Sequence, residues 1–426
     1  MTIFLGIGSN LGDRRGHLRN AILALRQAGV SVLRVSPVVE SPALLPQGAP
    51  AEWCRPFLNL AVECATDLAP RELLATIKRL ERELGRPADG QRWAPRPIDI
   101  DILVWGGERI ADERLQVPHV GITERAFVLA PLVALQPSLT LPGLGDTTVL
   151  EWSRRLPHHI PLWMGIVNVT PDSFSDGGRY LAPEAAVEHA LALAAAGAQI
   201  VDLGAESTRP GATPLDPDEE WRRLAPVLEP LVERLRDDPL RPLVSVDTYH
   251  PEVARRAVAA GCDMVNDVSG LTAPAMIDLA AEGKAQWVAM HNLGVPADRA
   301  RVLPVESDPC EIVERWLAER LEVWRRAGVD LDRVVFDPGI GFGKNTLQSL
   351  KLLRHASRFR AMGVRCLVGH SRKSFMRGFA AADEAERDLT TIGASLNLCG
   401  QGVDILRVHD VAGHVAAYRG WSHLNP

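Results

Sequence analysis

Residues 183–209 read P-E-A-A-V-E-H-A-L-A-L-A-A-A-G-A-Q-I-V-D-L-G-A-E-S-T-R. Pro183 starts a helical pattern and Gly197 stands just past its end, the positions those two residues favour at helix termini. The apolar run Gln199–Leu203 follows as a strand, and polar residues crowd its far end. The same strand-then-helix unit recurs. Strands are expected at Leu162–Val167, Gln199–Leu203, Leu243–Val246, Met264–Val268, Gln286–Met290, Val334–Phe336, Cys366–Gly369 and Ile405–Val408, each followed by a helical pattern. These short apolar runs suit parallel strands buried on both faces. Polar residues fall at or just after the strand ends: Asn168, Glu206 to Arg209, Asp247, Asn266 with Asp267, His291, Asp337, Ser371 to Lys373, and Arg407 with His409. A TIM (β/α)8 barrel, which needs ~250 residues, gathers such ends into one bowl on its C-terminal face. A doubly wound sheet is the alternative on pattern alone.

Working outward, the 426 residues suggest two or three domains at about 150 residues each. The segment Arg154–Pro161, rich in Pro and His, marks a boundary, giving domains 1–157 and 158–426. In the first, apolar runs at Ile3–Ile7, Val32–Val39, Leu58–Cys64 and Ile98–Val104 read as strands. Helical patterns at His17–Gln27 and Arg71–Glu83 fall between them. That order suggests a ferredoxin-like α+β domain. Ala43–Arg55 and Gly85–Pro97, punctuated by Gly and Pro, read as loops.

Composition excludes several classes. A net charge of −6 and 5% aromatic residues argue against nucleic acid as the main partner. No apolar stretch approaches 18 residues, and the strand-like start MTIFLGIGSN lacks a basic leader, so no membrane association is expected. The six cysteines show no C-x-x-C pair, which points to reduced thiols and a cytoplasmic enzyme rather than a disulfide or zinc framework.

In R-P-I-D-I-D-I-L-V, Asp99 and Asp101 are two apart on a strand and so share a face, with Ile98, Ile100 and Ile102 on the other. Two adjacent carboxylates repel unless a cation lies between them, and an oxygen-rich pair with room for water suits Mg²⁺ shared with phosphates. Two solvated acids on an exposed strand are the plainer alternative. Arg82, Arg86, Arg92 and Arg96 precede the pair, and such a mixture of metal ligands and Arg donors serves phosphoryl transfer from ATP. Gly6-x-Gly8-Ser-Asn-Leu-Gly12 has the wrong spacing for a dinucleotide fingerprint and reads as a strand-to-helix turn.

In the second domain, Asp337-Pro-Gly-Ile-Gly-Phe-Gly-Lys344-Asn lacks the Ser or Thr of a phosphate-binding P-loop and reads as a glycine-rich barrel loop. Arg407 and His409 alternate at the last strand end, where such barrels bind phosphate. Asp247 and Asp337 arrive from the third and sixth strands. Buried acids need partners, either a donor-rich heterocycle edge or Lys373 itself.

These residues also carry two resemblances. G-S-N-L-G-D-R, F-L-N-L-A-V at Phe57, R-W-A-P-R-P-I-D-I-D at Arg92 and V-P-H at Val117 resemble the 6-hydroxymethyl-7,8-dihydropterin pyrophosphokinases over nearly all of residues 1–150. The resemblance implies that Asp99 and Asp101 hold Mg²⁺ bridging ATP, that Arg86 and Arg96 contact phosphates with His119 nearby, and that Asn59 reads the pterin edge. Phe127 would stack on the pterin, with Glu81 in the same site. Ala94 departs from the usual glycine, and Ala88 and Asp89 stand where basic residues are common, which bears on loop closure. N-V-T-P-D-S-F-S-D-G-G at Asn168, E-S-T-R-P-G-A at Glu206, S-V-D-T at Ser245, V-N-D-V at Val265, D-P-G-I-G-F-G-K at Asp337, S-R-K-S at Ser371 and R-V-H-D at Arg407 resemble the dihydropteroate synthases over 161–420. This implies that Asp247, Asn266, Asp337 and Lys373 grip the pterin. Asn168 would place Mg²⁺ and diphosphate, and Arg209, Arg407 and His409 would serve the diphosphate. Thr208, Ser371 and Phe342 would lie around p-aminobenzoate, with the loops 170–179 and 207–213 closing over it. The joint expectation is a bifunctional folate-biosynthesis enzyme with small-molecule partners, homodimeric through the barrel. Methyl transfer on the same barrel and a catalytically decayed pterin sensor are the competing readings.

Overall fold

In the first domain, alternate apolar residues set the sheet. β1 (Ile3–Ser9) pairs antiparallel with β4 (Phe57–Ala65) on one side and with β5 (Asp99–Trp105) on the other. β2 (Ser31–Val35) adds to β4, giving the order β2-β4-β1-β5, and β3 (Val39–Ser41) also pairs with β4. The run Val32–Val39, expected as one strand, is therefore two. Pro37 has no N–H for a ladder, and the Ser36 hydroxyl takes over by accepting the Ala61 N–H at 2.9 Å.

Two helices cover one face. α1 (Arg14–Gln27) starts where the Asp13 carboxylate accepts the Gly16 N–H, and buries Leu18, Ala21, Ile22 and Leu25 at helical spacing. α2 (Pro70–Glu83) starts on a proline and buries Leu73, Ile77 and Leu80. They pack on Ile3, Leu5, Ile7, Leu60, Val62, Ile100 and Ile102. A small hairpin follows, β6 (Ile110–Ala111) with β7 (Gln116–Val117). α3 (Ala126–Leu135) and α4 (Val149–Arg155) cover part of the opposite face over Phe4, Ala61, Leu103 and Val104. Asp99 and Asp101 are partly exposed on that second face, their side chains 26% and 40% accessible.

The second domain is a closed parallel barrel in the order β10-β11-β12-β13-β14-β15-β8-β9. Its strands are β8 (Leu162–Asn168), β9 (Ile200–Gly204), β10 (Leu243–Asp247), β11 (Met264–Asp267), β12 (Gln286–Met290), β13 (Val334–Asp337), β14 (Arg365–Gly369) and β15 (Ile405–Val408). The helices that follow them in turn are α5 (Pro183–Ala195), α6 (Pro217–Leu235), α7 (Pro251–Ala259), α8 (Pro274–Ala281), α9 (Pro309–Arg326), α10 (Thr346–Arg354), α11 (Glu384–Gly400) and α12 (Val411–Leu424). Five of these eight helices begin with proline after β9, β10, β11, β12 and β8, each fixing φ where an N–H has no partner. Strands between a filled barrel interior and a helical ring are buried on both sides, and β9, β11, β13 and β14 are buried along their whole lengths.

This computed structural model describes residues 1–87, 91–169, 183–207, 213–298, 300–379 and 383–425. By internal packing the chain divides into one unit of Met1–Ile160 with Asp238–Leu240 and Arg419–Pro426, and another of Pro161–Asp237 with Arg241–Tyr418.

Candidate active sites

On β5 the carboxylates of Asp99 and Asp101 share the face expected of them, while Ile98, Ile100 and Ile102 are buried in the core opposite. The register sets Gly8 across from Asp99 and Gly6 across from Asp101. These glycines lie within β1 itself, not in the turn after it. A Cβ on Gly8 would stand 3.0 Å from the Asn59 amide oxygen, so glycine keeps this end of the sheet open. Asn59 faces Gly8 across β4 and donates to the Ser41 hydroxyl at 3.0 Å.

A ring of charge surrounds the two acids. Arg86 reaches Asp99 at 2.5 Å and Glu81 at 2.6 Å, and Arg96 reaches the other Asp99 oxygen at 3.2 Å. Buried Glu81 also accepts the Ile100 N–H at 2.8 Å and pairs with Lys78 at 2.9 Å, tying α2 to the free edge of β5. His119 lies 3.9 Å from Asp101. Burial and the adjacent Asp99 push the Asp101 carboxyl well above the ordinary carboxylate range, with Lys78 and Arg86 opposing. Burial works against the Arg86 cation, yet Asp99 and Glu81 hold it above its ordinary value. Burial and then Arg125 lower the imidazole of His119. Phe127, at the start of α3, packs beside the second core, with the Arg125 guanidinium 5.9 Å from its ring centre. Ala94 follows Trp93, which holds a left-handed φ of 74°. Ala88 and Asp89 lie outside the described residues.

At the barrel mouth the centre is a residue that sequence reading passed over. Asp202, fully buried in β9, accepts from Ser245 Oγ at 2.6 Å, Asn266 Nδ2 at 3.1 Å and Arg407 Nε at 2.6 Å. Its signal was present: an acid inside an apolar run buried on both faces demands partners. Arg407 donates a second time to Asp247 at 2.8 Å. The direct ion pairs to Asp202 and Asp247 thus come from Arg407. Arg407 is held by both Asp202 and Asp247.

Lys373 donates to the Ile340 carbonyl at 2.6 Å and lies 4.8 Å from the Phe342 ring centre, a cation–π contact. Burial lowers its ammonium to about 8, against the pull of Asp337. Asp337 accepts the Gly339 N–H at 2.7 Å, and burial raises its carboxyl despite Lys373. Burial also raises Asp247, with Arg407 opposing and Asp202 and Asp267 adding. Ser371 Oγ meets His409 Nδ1 at 2.9 Å. Asn168 ends β8 beside Gly204 of β9. Thr208 and Arg209 lie outside the described residues, as do 170–179 and most of the loop 207–213.

Two polar strand-end residues serve the scaffold instead. Asp267 turns to accept the N–H groups of Ser269 at 2.7 Å and Leu271 at 2.8 Å. His291 accepts from the buried Lys344 through Nδ1 at 2.7 Å and through its carbonyl at 2.8 Å. Burial and Lys344 drive that imidazole down to about 2, so it stays neutral. The pair fixes the glycine-rich loop, where Gly339 has φ 66° and a Cβ would fall 1.9 Å from the His291 carbonyl oxygen. Only glycine fits there. All six cysteines are free thiols. Among the described residues no helix is long and apolar enough to cross a membrane.

Comparison with known proteins gives a separate family match for each domain. Residues 4–137 match the family model described as 7,8-dihydro-6-hydroxymethylpterin-pyrophosphokinase, and residues 164–409 match that described as pterin binding enzyme. The chain is 36% identical to the folate synthesis bifunctional protein of Chlamydia caviae over 99% of its own length and 98% of the relative's. It is 39% identical to that of Chlamydia muridarum at the same coverage. The Xanthomonas albilineans dihydropteroate synthase solved with 4-aminobenzoic acid is 43% identical with a TM-score of 0.56, covering 62% of this chain and 93% of that one. The Anaplasma phagocytophilum synthase solved with bound 6-hydroxymethylpterin-monophosphate is 33% identical with a TM-score of 0.56, covering 62% and 99%. Fold and sites together define a pterin-binding barrel enzyme joined to a pterin pyrophosphokinase. The chain belongs to the family of bifunctional folate synthesis proteins.

Proposed function

We infer that this chain makes 7,8-dihydropteroate in two consecutive steps on one heterocycle. Domain 1–157 transfers diphosphate from ATP to the hydroxymethyl oxygen of 6-hydroxymethyl-7,8-dihydropterin. The hydroxymethyl oxygen bonds to the β-phosphorus of ATP as the bond from that phosphorus to the oxygen bridging it to the α-phosphorus breaks; AMP leaves with the bridging oxygen, and the hydroxyl gives up its proton. Domain 158–426 joins that product to p-aminobenzoate: a C–N bond forms, the C–O bond to diphosphate breaks, and the amine gives up a proton. What carries the reading is that both family matches lie on one chain and each contains a converged polar site.

In the first site the two β5 carboxylates fit a divalent cation, because burial and then the neighbouring Asp99 raise the Asp101 carboxyl and a cation offsets both effects. Asp99 and Asp101 would hold Mg²⁺, which when bound draws charge from the phosphates of ATP. Arg86 and Arg96 then turn from Asp99 to the phosphates, with His119 beside them. Asn59 offers amide donors and acceptors to the pterin edge, and Phe127 offers a face for stacking. Glu81 is a positioning residue that fixes Arg86 and the edge of β5.

In the barrel, Asp247, Asn266, Asp337 and Lys373 present alternating acceptors and donors to the pterin, a charge pattern set before substrate arrives. Arg407 and His409, with Arg209, receive the diphosphate; Asn168 would help hold Mg²⁺, which would supply positive charge to the departing diphosphate. Thr208, Ser371 and Phe342 border p-aminobenzoate. Cytoplasmic location, a homodimer through the barrel, and neither nucleic acid nor membrane as partner complete the reading.

Two substitutions test it. Asp101→Ala should abolish AMP formation yet leave condensation intact when pterin diphosphate is supplied, and Lys373→Ala should do the reverse. Loss of both activities in either variant would contradict independent sites, and an unchanged condensation rate in Lys373→Ala would remove Lys373 from its role.

A further inference from the structure

Behind the barrel mouth, three side chains from separate elements converge without a role in either reaction. Glu206 stands two residues past β9, Glu220 lies in the first turn of α6, and His250 immediately precedes α7. His250 Nε2 is 3.2 Å from Glu206 Oε2 and 3.9 Å from Glu220 Oε2, and one ligand atom from each residue lies within 4.8 Å of the others. The Glu206 and Glu220 side chains are only 5% and 1% exposed. Second, the Glu220 carboxylate is incompletely satisfied. Its Oε2 accepts from Thr248 at 3.0 Å, but its buried Oε1 has no hydrogen-bond partner among the described residues. Such an orphaned carboxylate oxygen costs free energy unless a proton or a cation compensates it.

We propose that Glu206, Glu220 and His250 form a binding site for a borderline divalent cation of the Zn²⁺ class, separate from the Mg²⁺ sites of the two reactions. One imidazole and two carboxylates select such an ion over Mg²⁺, which prefers oxygen alone. With metal–ligand bonds of about 2.1 Å, a tetrahedral site has ligand–ligand edges of about 3.4 Å, between the two distances seen here. Two carboxylates and a neutral imidazole cancel the ion's charge, and a water completes four-coordination. Tyr249 donates to Glu206 Oε1 at 2.6 Å, as does the Leu215 N–H at 3.2 Å, so that ligand is oriented by its surroundings. The ion would tie the start of the loop that continues into Thr208 and Arg209 to α6 and α7.

The test uses the full chain, stripped with chelator and carrying Asp99→Asn and Asp101→Asn to silence the other carboxylate pair. Calorimetric titration with Zn²⁺ alone should show one equivalent bound. Glu220→Gln and His250→Asn should each weaken binding roughly tenfold or more. Crystals of the unsubstituted chain soaked in Zn²⁺ should show an anomalous peak between the three side chains, a readout that needs no variant to fold. Zinc bound elsewhere only, or affinity unchanged by both variants, would overturn the proposal.

Discussion

Asp202 offers the sharpest perturbation because its two oxygens have divided duties. Oδ2 accepts from Arg407 and Asn266, and Oδ1 accepts from Ser245. In Asp202→Asn the amide oxygen takes the Oδ2 place and keeps both donors. The amide N–H then faces Ser245, whose hydroxyl turns to accept. Geometry survives and only the charge is lost. A hydrogen bond to a charged group contributes about 1.5–3 kcal/mol. Removing the Asp202 charge also relieves the repulsion that helps raise Asp247, so the net cost should be about 1–2 kcal/mol. Asp202→Leu instead strands the Asn266 amide and leaves Arg407 with one partner in place of two, for about 4 kcal/mol. Urea unfolding, with amide exchange at β9 and β10, measures the stability change, and calorimetry measures pterin affinity. The asparagine variant should lose less than about tenfold in affinity, and the leucine variant about a hundredfold, equivalent to ~3 kcal/mol. If leucine were no worse than asparagine in both measurements, the claim that Asp202 organises the barrel mouth would be wrong.

Two further outcomes follow from the geometry. Lys373 has an ammonium lowered to about 8, so it is charged below that pH and neutral above it. Condensation kcat/KM should fall about tenfold per pH unit above pH 8, and Lys373→Arg, whatever its rate, should lose that alkaline limb; an identical limb in the variant would assign it to another group. Gly339→Ala places a Cβ against the His291 carbonyl at positive φ, and should cost about 3 kcal/mol, seen as a melting temperature lower by roughly 6–12 °C. An unchanged melting temperature would show that the loop yields.

The architecture was readable because its signals were local. Apolar runs of three to six residues, with Pro and Gly at helix ends, place all eight barrel strands within one residue of where they lie. The β5 carboxylate pair was readable because period-two alternation forces both onto one face. Other features depend on partners distant in sequence. The break at Pro37 follows from the Ser36 hydroxyl meeting Ala61 across the sheet. Arg407 and Asp202 are 205 residues apart, and nothing in either local string tells which cation each acid will meet. Asp267 and His291 looked like pocket residues because they end strands, but one caps a loop and the other receives Lys344. Strand-end position marks the bowl, while side-chain direction is settled by packing.

The central claim, that one polypeptide activates a pterin and then consumes it, is tested most directly by product stoichiometry. The purified chain would be given ATP, 6-hydroxymethyl-7,8-dihydropterin and p-aminobenzoate, and AMP, diphosphate and dihydropteroate counted over time. The expected result is one of each per turnover, with diphosphate release ceasing when p-aminobenzoate is withheld while AMP still forms. Diphosphate released without p-aminobenzoate, or AMP formed without the pterin, would contradict the account.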